Sequence, residues 1–216
     1  MFNDRKSAVI EAALSMKEYG LIALSGGNVS ERMPTGEILV TPSGMGYEGM
    51  VEDDILVMDI DANIIEGERK PSVDSQALLY IYKHMPEVNS VIHTHQPYAT
   101  AVGLIADEFP AILTTLVNAT KGPVKVAPYS SAASIEMGIE TVEHIGDQLA
   151  VILKHHGVIT IGSSLKEALY ACVYLEEAAK CYLAARAVTP NLPMLSKEQV
   201  QTAVEVFKSY GQKKNT

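Results

Sequence analysis

Two pairs of histidines are the residues best suited to metal chemistry in this sequence. His93 and His95 flank one threonine at the end of the apolar run Val91–Ile92, and His155 and His156 directly precede a glycine. In a β-strand, residues i and i+2 point to the same face with Cα atoms about 6.6 Å apart. Two imidazoles so placed can coordinate one divalent ion at about 2.1 Å each. Because adjacent strand residues face opposite sides, we expect at most one of His155 and His156 at the same centre.

A carboxylate would complete such a centre, and the sequence offers several. Asp74 opens a predicted helix, while Glu66, Glu68 and Asp107 lie in less regular segments. Spacing alone does not choose among these four. Two simpler interpretations stay open: strand-end histidines with ordinary hydrogen bonds, and a helix-start carboxylate that only caps its helix.

Three polar turns in the same half of the chain could hold an anion such as phosphate. Each combines small residues with free backbone N–H groups and a hydroxyl or amide side chain. None matches a G-x-G-x-x-G fingerprint or a P-loop, and each taken alone is typical of an ordinary turn. The binding groups offered are Ser25, Gly27, Asn28, Ser43, Gly44 and Ser72.

Composition excludes several classes of protein. The chain has 216 residues, of which 47% are hydrophobic and 20% charged, so it can bury a full core and is not disordered. A net charge of -9 argues against nucleic acid or an anionic membrane as a partner. Cys172 and Cys181, nine positions apart in a helical pattern, are too distant for a disulfide. We expect a soluble, cytoplasmic protein.

Alternating helical and strand patterns predict an α/β fold. Several strands are joined by links too short for a helical crossover, which favours a central mixed or antiparallel sheet. We expect one domain over residues 1–216, with a loose tail from about residue 211. Predicted helices cover 7–19, 74–84, a segment after 97, 134–149, 164–187 and 196–210; predicted strands cover 38–41, 55–60, 64–65, 90–94, 150–154 and 158–161; 114–126 is ambiguous.

These motifs, in this order, resemble the class II aldolase/adducin family from about residue 5 to residue 211. The resemblance implies that Asp74, His93, His95 and His156 bind one divalent metal, usually Zn²⁺, with Co²⁺ and Mn²⁺ as alternatives. It also implies that the central sheet is flanked by helices on both sides and that the three polar turns form a phosphate site. The matching segments are Ser25-Gly26-Gly27-Asn28-Val29-Ser30, Thr41-Pro42-Ser43-Gly44, Pro71-Ser72-Val73-Asp74, His93-Thr94-His95 and His155-His156-Gly157.

The family resemblance further implies a phosphorylated sugar substrate and a C4 homotetramer with active sites between subunits. The favoured activity is metal-dependent cleavage of a ketose 1-phosphate, of the L-fuculose type, into dihydroxyacetone phosphate and an aldehyde through a metal-stabilised enediolate. The segment 207–211 resembles the tail of the family's aldolases and makes Tyr210 a proton donor. Asp74 serves as both ligand and base.

Three alternatives within the resemblance stay open. Asp74, rather than glutamate, is typical of the family's pentulose-phosphate 4-epimerases, of the L-ribulose 5-phosphate type. Asn118 occupies the place where the epimerases have an aspartate that acts as an acid. Thr114 lies near the place where the aldolases have a tyrosine. A sugar-phosphate dehydratase and a non-catalytic, adducin-like binding domain are the other two; the latter typically lacks the four metal-ligand positions that this chain keeps.

Overall fold

The computed structural model describes residues 2–208 and contains nine strands and seven α-helices in that range. The strands are β1 (Asn28–Arg32), β2 (Ile38–Val40), β3 (Leu56–Met58), β4 (Ile64–Glu66), β5 (Ser90–Thr94), β6 (Glu108–Phe109), β7 (Val124–Ala127), β8 (Ala150–Leu153) and β9 (Gly157–Gly162). The helices are α1 (Asn3–Glu18), α2 (Ser75–His84), α3 (Pro97–Ile105), α4 (Thr114–Thr120), α5 (Glu136–Ile145), α6 (Leu165–Val188) and α7 (Lys197–Lys208).

All nine strands form one sheet in the order β4-β3-β2-β1-β5-β9-β8-β7-β6. Neighbouring strands are antiparallel except for the parallel pair β7 and β8. The predicted mixed α/β fold is therefore confirmed. The strand that ends in the His-x-His motif, β5, is the middle strand of the sheet, between β1 and β9.

Helices cover both faces of the sheet because apolar residues occupy both sides of its strands. In β2, Ile38 and Val40 belong to the core beneath α2 and α5, whereas Leu39 belongs to the core beneath α1. A third apolar cluster joins α3, α4 and α6 to β7 and β8. Strands buried on both faces read as continuous apolar runs, which is the pattern that β2 and β8 show in the sequence.

Several predicted boundaries shift for local reasons. The strand expected over 55–60 ends at Met58, because the Asp59 carboxylate accepts the N–H groups of Asp61 and Asn63 and starts the turn there. The helix expected over 134–149 ends at Ile145, before Gly146 at φ 57°. The ambiguous segment 114–126 divides into α4 and β7. The short strand β6 was not predicted.

The single domain over 1–216 and the loose tail from about 211 stay predictions, because residue 1 and residues 209–216 lie outside the described range. Within the described residues, every helix is too short or too polar to cross a lipid bilayer.

Candidate metal centre

Three imidazoles converge at one end of β5. The rings of His93, His95 and His156 have centroids 4.8 to 5.2 Å apart, and one ring nitrogen from each lies within 4.8 Å of the others. The Nε2 atoms of His93 and His95 are 3.1 Å apart. Ligand nitrogens on a tetrahedral ion at about 2.1 Å each would be about 3.4 Å apart. The spacing of these two nitrogens therefore suits a shared ion.

Strand pairing fixes the first histidine. His93 lies opposite Ile159 in the antiparallel pair of β5 with β9, and its Nδ1–H donates to the carbonyl of Val158 at 2.9 Å. That hydrogen bond assigns the proton to Nδ1 and leaves the Nε2 lone pair facing the other two rings. His93 is fully buried, whereas His95 is only partly shielded from solvent.

The second histidine pair lies in the turn between β8 and β9, not within a strand as the sequence suggested. His155 adopts a left-handed backbone conformation at φ 62° and is exposed, and His156 turns towards His93 and His95. The prediction that only one of the pair faces the centre agrees with this geometry. The physical reason differs, since a turn and not strand alternation separates the two side chains.

Glycines allow the backbone segments around the histidines to approach closely. A Cβ atom on Gly157 would lie 2.2 Å from the carbonyl oxygen of Thr94 and 3.1 Å from Cδ2 of His95. A Cβ atom on Gly27 would lie 2.4 Å from the carbonyl oxygen of His93, and Gly27 has φ 77°. Both positions need glycine because the histidine-bearing edge of β5 packs against them.

We expect Gly157→Ala to lower the free energy of unfolding by about 2–4 kcal/mol and to weaken metal binding. The added methyl group must displace either the Thr94 carbonyl or the His95 ring. Urea denaturation of the metal-free protein measures the first effect. Gly46→Ala is the control, because a Cβ atom there approaches only a flexible side-chain oxygen of Glu48, at 3.8 Å. Equal stability of the two variants would contradict the prediction.

Asp74 lies beside the imidazoles, at the start of α2. Its buried carboxylate accepts a hydrogen bond from Nδ2 of Asn28 at 2.8 Å and another from the backbone N–H of Ala133. The carboxylate also interacts electrostatically with His156 and His95. Burial raises the pKa of Asp74, and those neighbours only partly offset the rise. Its oxygens lie outside the group of three nitrogens within 4.8 Å of one another.

The other carboxylates considered from the sequence are engaged elsewhere or exposed. Glu66 pairs with the buried ammonium group of Lys6, and Asp107 pairs with Lys154 at 2.8 Å. Glu68 lies on an exposed loop. Of the four, only Asp74 interacts with the histidines. The backbone donor from Ala133 was not foreseen, because no side chain marks such a donor in a sequence.

The donor set suits a divalent metal ion. Burial lowers the pKa of all three histidines, to about 3 for His93, so each ring is neutral near pH 7 and offers a lone pair. Among the described residues, Nδ1 of His156 and Oδ1 of Asn28 are buried without a hydrogen-bond partner. Unpartnered buried acceptors cost free energy unless a ligand satisfies them. Neutral imidazoles beside one carboxylate form a typical site for a borderline ion.

We expect the metal-free protein to lose stability as the pH falls from 7 through 6.5 towards 5. The unfolded chain takes up a proton on His93 near pH 6.5, whereas the folded chain resists until about pH 3. The folded state thus binds fewer protons in this window, so acidification favours unfolding. Urea midpoints at three pH values test this, and His93→Gln should flatten the profile. An unchanged profile in that variant would refute the assignment.

Hydrogen bonds join the three polar turns beside this centre. Asn28 lies opposite His93 in the pairing of β1 with β5 and bonds to Asp74. The hydroxyl of Thr41 accepts from the N–H of Val29 at 3.1 Å. The structure thus brings the Gly27–Asn28 turn and the turn after β2 together.

The third turn is tied to the second. The N–H of Ser43 donates to the carbonyl of Lys70 at 2.9 Å, and Pro42 forms a bridge with Pro71. Ser72, buried one residue further, has its hydroxyl 3.3 Å from the backbone N–H of Asp74. Ser43 and Gly44 are exposed, so the Ser43 hydroxyl and the Gly44 backbone can contact a solute, whereas the N–H of Ser43 is already engaged by Lys70.

The remaining predicted residues have different placements. Ser25 and Gly27 are half-buried at the edge of the first turn, and the carbonyl of Gly27 accepts from the hydroxyl of Tyr47 at 2.9 Å. Thr114 and Asn118 line a groove between α4 and α7. Tyr210 lies outside the described residues.

Comparison with known proteins identifies the family. The model of the Class II Aldolase and Adducin N-terminal domain matches residues 7–183. The L-fuculose phosphate aldolase of Escherichia coli strain K12 is 32% identical over 203 residues, 94% of each chain. The 5-deoxy-D-ribulose 1-phosphate aldolase of Bacillus thuringiensis serovar kurstaki is 28% identical over 98% of this chain and 99% of its own.

A solved structure gives the same result. An L-fuculose 1-phosphate aldolase superposes with a TM-score of 0.89 at 29% identity, covering 95% of this chain and 96% of the other. The chain belongs to the class II aldolase and adducin N-terminal domain family, and its aldolase relatives make it a lyase.

Proposed function

We propose that the protein cleaves a ketose 1-phosphate, of the L-fuculose type, into dihydroxyacetone phosphate and an aldehyde. The observation that carries this proposal is the convergence of His93, His95 and His156 beside the Asp74 carboxyl, next to the joined polar turns. One side of this arrangement suits a metal ion and the other an anion. A phosphorylated ketose has groups for both, at its carbonyl and at its phosphate.

We assign the ion to Asp74, His93, His95 and His156. Three imidazoles and one carboxylate favour Zn²⁺, although Co²⁺ or Mn²⁺ can use the same ligands. A divalent ion supplies Lewis-acid stabilisation of the charge that develops on the ketose oxygens as the carbon–carbon bond breaks. Because all three histidines have lowered pKa values, they stay unprotonated and available near neutral pH.

We assign the phosphate to the polar turns. The exposed Ser43 hydroxyl and Gly44 backbone, with Ser72 before the N-terminus of α2, form a neutral anion cradle. In this acidic chain, such a local site must overcome the net negative charge. The full proposed set is Ser25, Gly27, Asn28, Ser43, Gly44 and Ser72.

Cleavage between C3 and C4 needs two proton transfers. The C4 hydroxyl loses its proton as the aldehyde forms, and C3 gains a proton to give dihydroxyacetone phosphate. We assign the C3 proton to Asp74, whose raised pKa brings its carboxyl closer to the range of a useful acid–base group. Tyr210, from a neighbouring subunit of a C4 homotetramer, is proposed on the family resemblance to relay the proton of the C4 hydroxyl to solvent during cleavage and to donate a proton to the aldehyde oxygen in the reverse direction. The proton that Asp74 gives to C3 is replaced from solvent, so cleavage consumes and releases one proton each.

Elemental analysis of the purified protein, followed by a product screen, tests the proposal. The protein is incubated with L-fuculose 1-phosphate, and dihydroxyacetone phosphate is measured with a coupled NADH-dependent reductase. We expect bound zinc and stoichiometric triose phosphate. An epimer of L-ribulose 5-phosphate without triose would instead support a 4-epimerase, which Asp74 favours, and loss of water without carbon–carbon cleavage would support a dehydratase. Absence of bound metal would favour a binding domain.

A second candidate substrate follows from the Bacillus relative. A 5-deoxypentulose 1-phosphate has the same C1 to C4 portion, so the same proposed residues would act on it. Cleavage would release acetaldehyde in place of lactaldehyde. Identifying the aldehyde by its hydrazone distinguishes the two substrates, and the ratio of their kcat/KM values decides which one the site prefers.

A further inference from the structure

A buried carboxylate from α6 holds the first turn of α3. The Oε1 and Oε2 atoms of Glu176 accept the backbone N–H groups of Tyr98 and Ala99 at 3.0 and 2.9 Å. Glu176 is 1% exposed. Burying a carboxylate is costly, so these two charge-assisted hydrogen bonds are needed to offset its loss of hydration.

The bonds satisfy every unpaired N–H of that turn. Pro97 opens α3 and has no N–H, and the N–H of Thr100 already donates to the carbonyl of Gln96. Gln96, the N-cap residue, provides no side-chain cap. Tyr98 and Ala99 are therefore the two donors left over at the start of α3. Glu176, which lies on α6, therefore caps the start of α3 in place of the Gln96 side chain.

This helix start directly follows a proposed metal ligand. His95 lies between Thr94, the last residue of β5, and Gln96, the N-cap of α3. Among the described residues, the only side-chain hydrogen bond of His95 is to His93. His93, in contrast, is held by the Val158 carbonyl. The position of His95 thus depends on the backbone on its two sides.

The same helix also fixes the residue after His95. The Gln96 amide donates from Nε2 to the carbonyl of Cys172 at 3.3 Å, and its Oε1 accepts from the hydroxyl of Thr94 at 2.7 Å. Gln96 and Thr94 are fully buried. One turn of α6, from Cys172 to Glu176, therefore holds the chain directly after His95, and Thr94 before it is bonded to the held Gln96 side chain.

We propose that Glu176 is a positioning residue for the metal centre, acting through the start of α3 to hold the His95 imidazole towards His93 and His156. The inference rests on the proposed function, because it takes His95 as a ligand. A supporting group of this kind typically changes metal affinity or activity about 10- to 100-fold when it is removed. Glu176 does not contact the substrate in this proposal.

The test compares Zn²⁺ affinity among variants by competition with a chromophoric chelator. Glu176→Gln keeps the size of the side chain but turns an NH₂ group towards one of the two N–H donors. We expect its Kd for Zn²⁺ to rise about tenfold. Glu177→Gln is the matched control on α6, because Glu177 is exposed and its ion pair among residues 2–208 is with Lys180. Its Kd should equal that of the wild type.

A second control separates positioning from general destabilisation. Ile145→Val removes a methylene group from the core on the opposite face of the sheet and should lower Tm without changing the Kd for Zn²⁺. If Glu176→Gln lowers Tm and leaves the Kd at the wild-type value, Glu176 only caps α3 and the proposal fails. The absorption spectrum of the Co²⁺-loaded variant should also shift, since the geometry at His95 changes.

Hydrogen exchange in the unmodified protein tests the proposal even if Glu176→Gln does not fold. Coupling is reciprocal, so Zn²⁺ binding should slow exchange in the peptide covering residues 97–105 by at least about threefold. Unchanged exchange there, with metal bound, would overturn the proposal. Failure of the proposed function is distinguishable: wild-type protein that binds Zn²⁺ but yields no triose phosphate refutes the aldolase assignment alone, whereas wild-type protein without metal affinity refutes the metal centre itself.

Discussion

Replacing His95 with alanine should abolish stoichiometric metal binding and lower kcat/KM for the cleavage by at least about a thousandfold. A metal Lewis acid contributes several kcal/mol to stabilising developing charge, and each 1.36 kcal/mol corresponds to a factor of ten in rate. Loss of one of three imidazoles leaves His93 and His156 with a single carboxyl neighbour at Asp74. Elemental analysis and the coupled assay for dihydroxyacetone phosphate measure the two losses on the same sample.

The fold should survive this substitution, because His95 is only partly shielded from solvent and its removal leaves no enclosed cavity. His155→Asn is the matched control. His155 lies in the adjacent turn, points to solvent and has φ 62°, a conformation that asparagine tolerates. It should keep both metal and activity. Full metal occupancy in His95→Ala would show that the ligand set is wrong.

Asp74→Asn should lower kcat by at least about a hundredfold while the protein stays folded. The substitution removes the anionic neighbour of His95 and His156 and, with it, the proposed acid–base group. Asparagine has nearly the same shape, and its carbonyl oxygen can still accept from Nδ2 of Asn28. Burial raises the pKa of Asp74, which means that the folded protein disfavours its charge; the neutral variant is therefore not expected to lose stability without metal.

Thermal unfolding of the metal-free variant measures whether stability is kept, and steady-state kinetics measure the loss of kcat. Asp107→Asn serves as a control that removes an equal charge, because Asp107 is exposed and pairs with Lys154 away from the histidines. Its turnover should equal that of the wild type. Wild-type turnover in Asp74→Asn would mean that a different carboxylate performs the proton transfer.

The sequence by itself determined the fold class and the residue types of the site. Interleaved helical and strand patterns with short links predicted a mixed α/β sheet, and a two-residue period placed His93 and His95 on one side of a strand. The start of α2 at Asp74 was also predicted. These are local properties, set by a period of 2 or 3.6 residues and by turn residues, so they can be inferred without knowing which segments meet.

Only the tertiary structure decided which distant groups meet. Spacing left the carboxylate open, and only the family resemblance chose Asp74 and His156. Their approach to His93 and His95 depends on where the fold places the start of α2 and the turn that joins β8 to β9. The contact of Glu176 with α3 joins residues 77 and 78 positions apart. Such contacts are fixed by strand register and helix packing across the whole sheet, and single-residue patterns do not encode them.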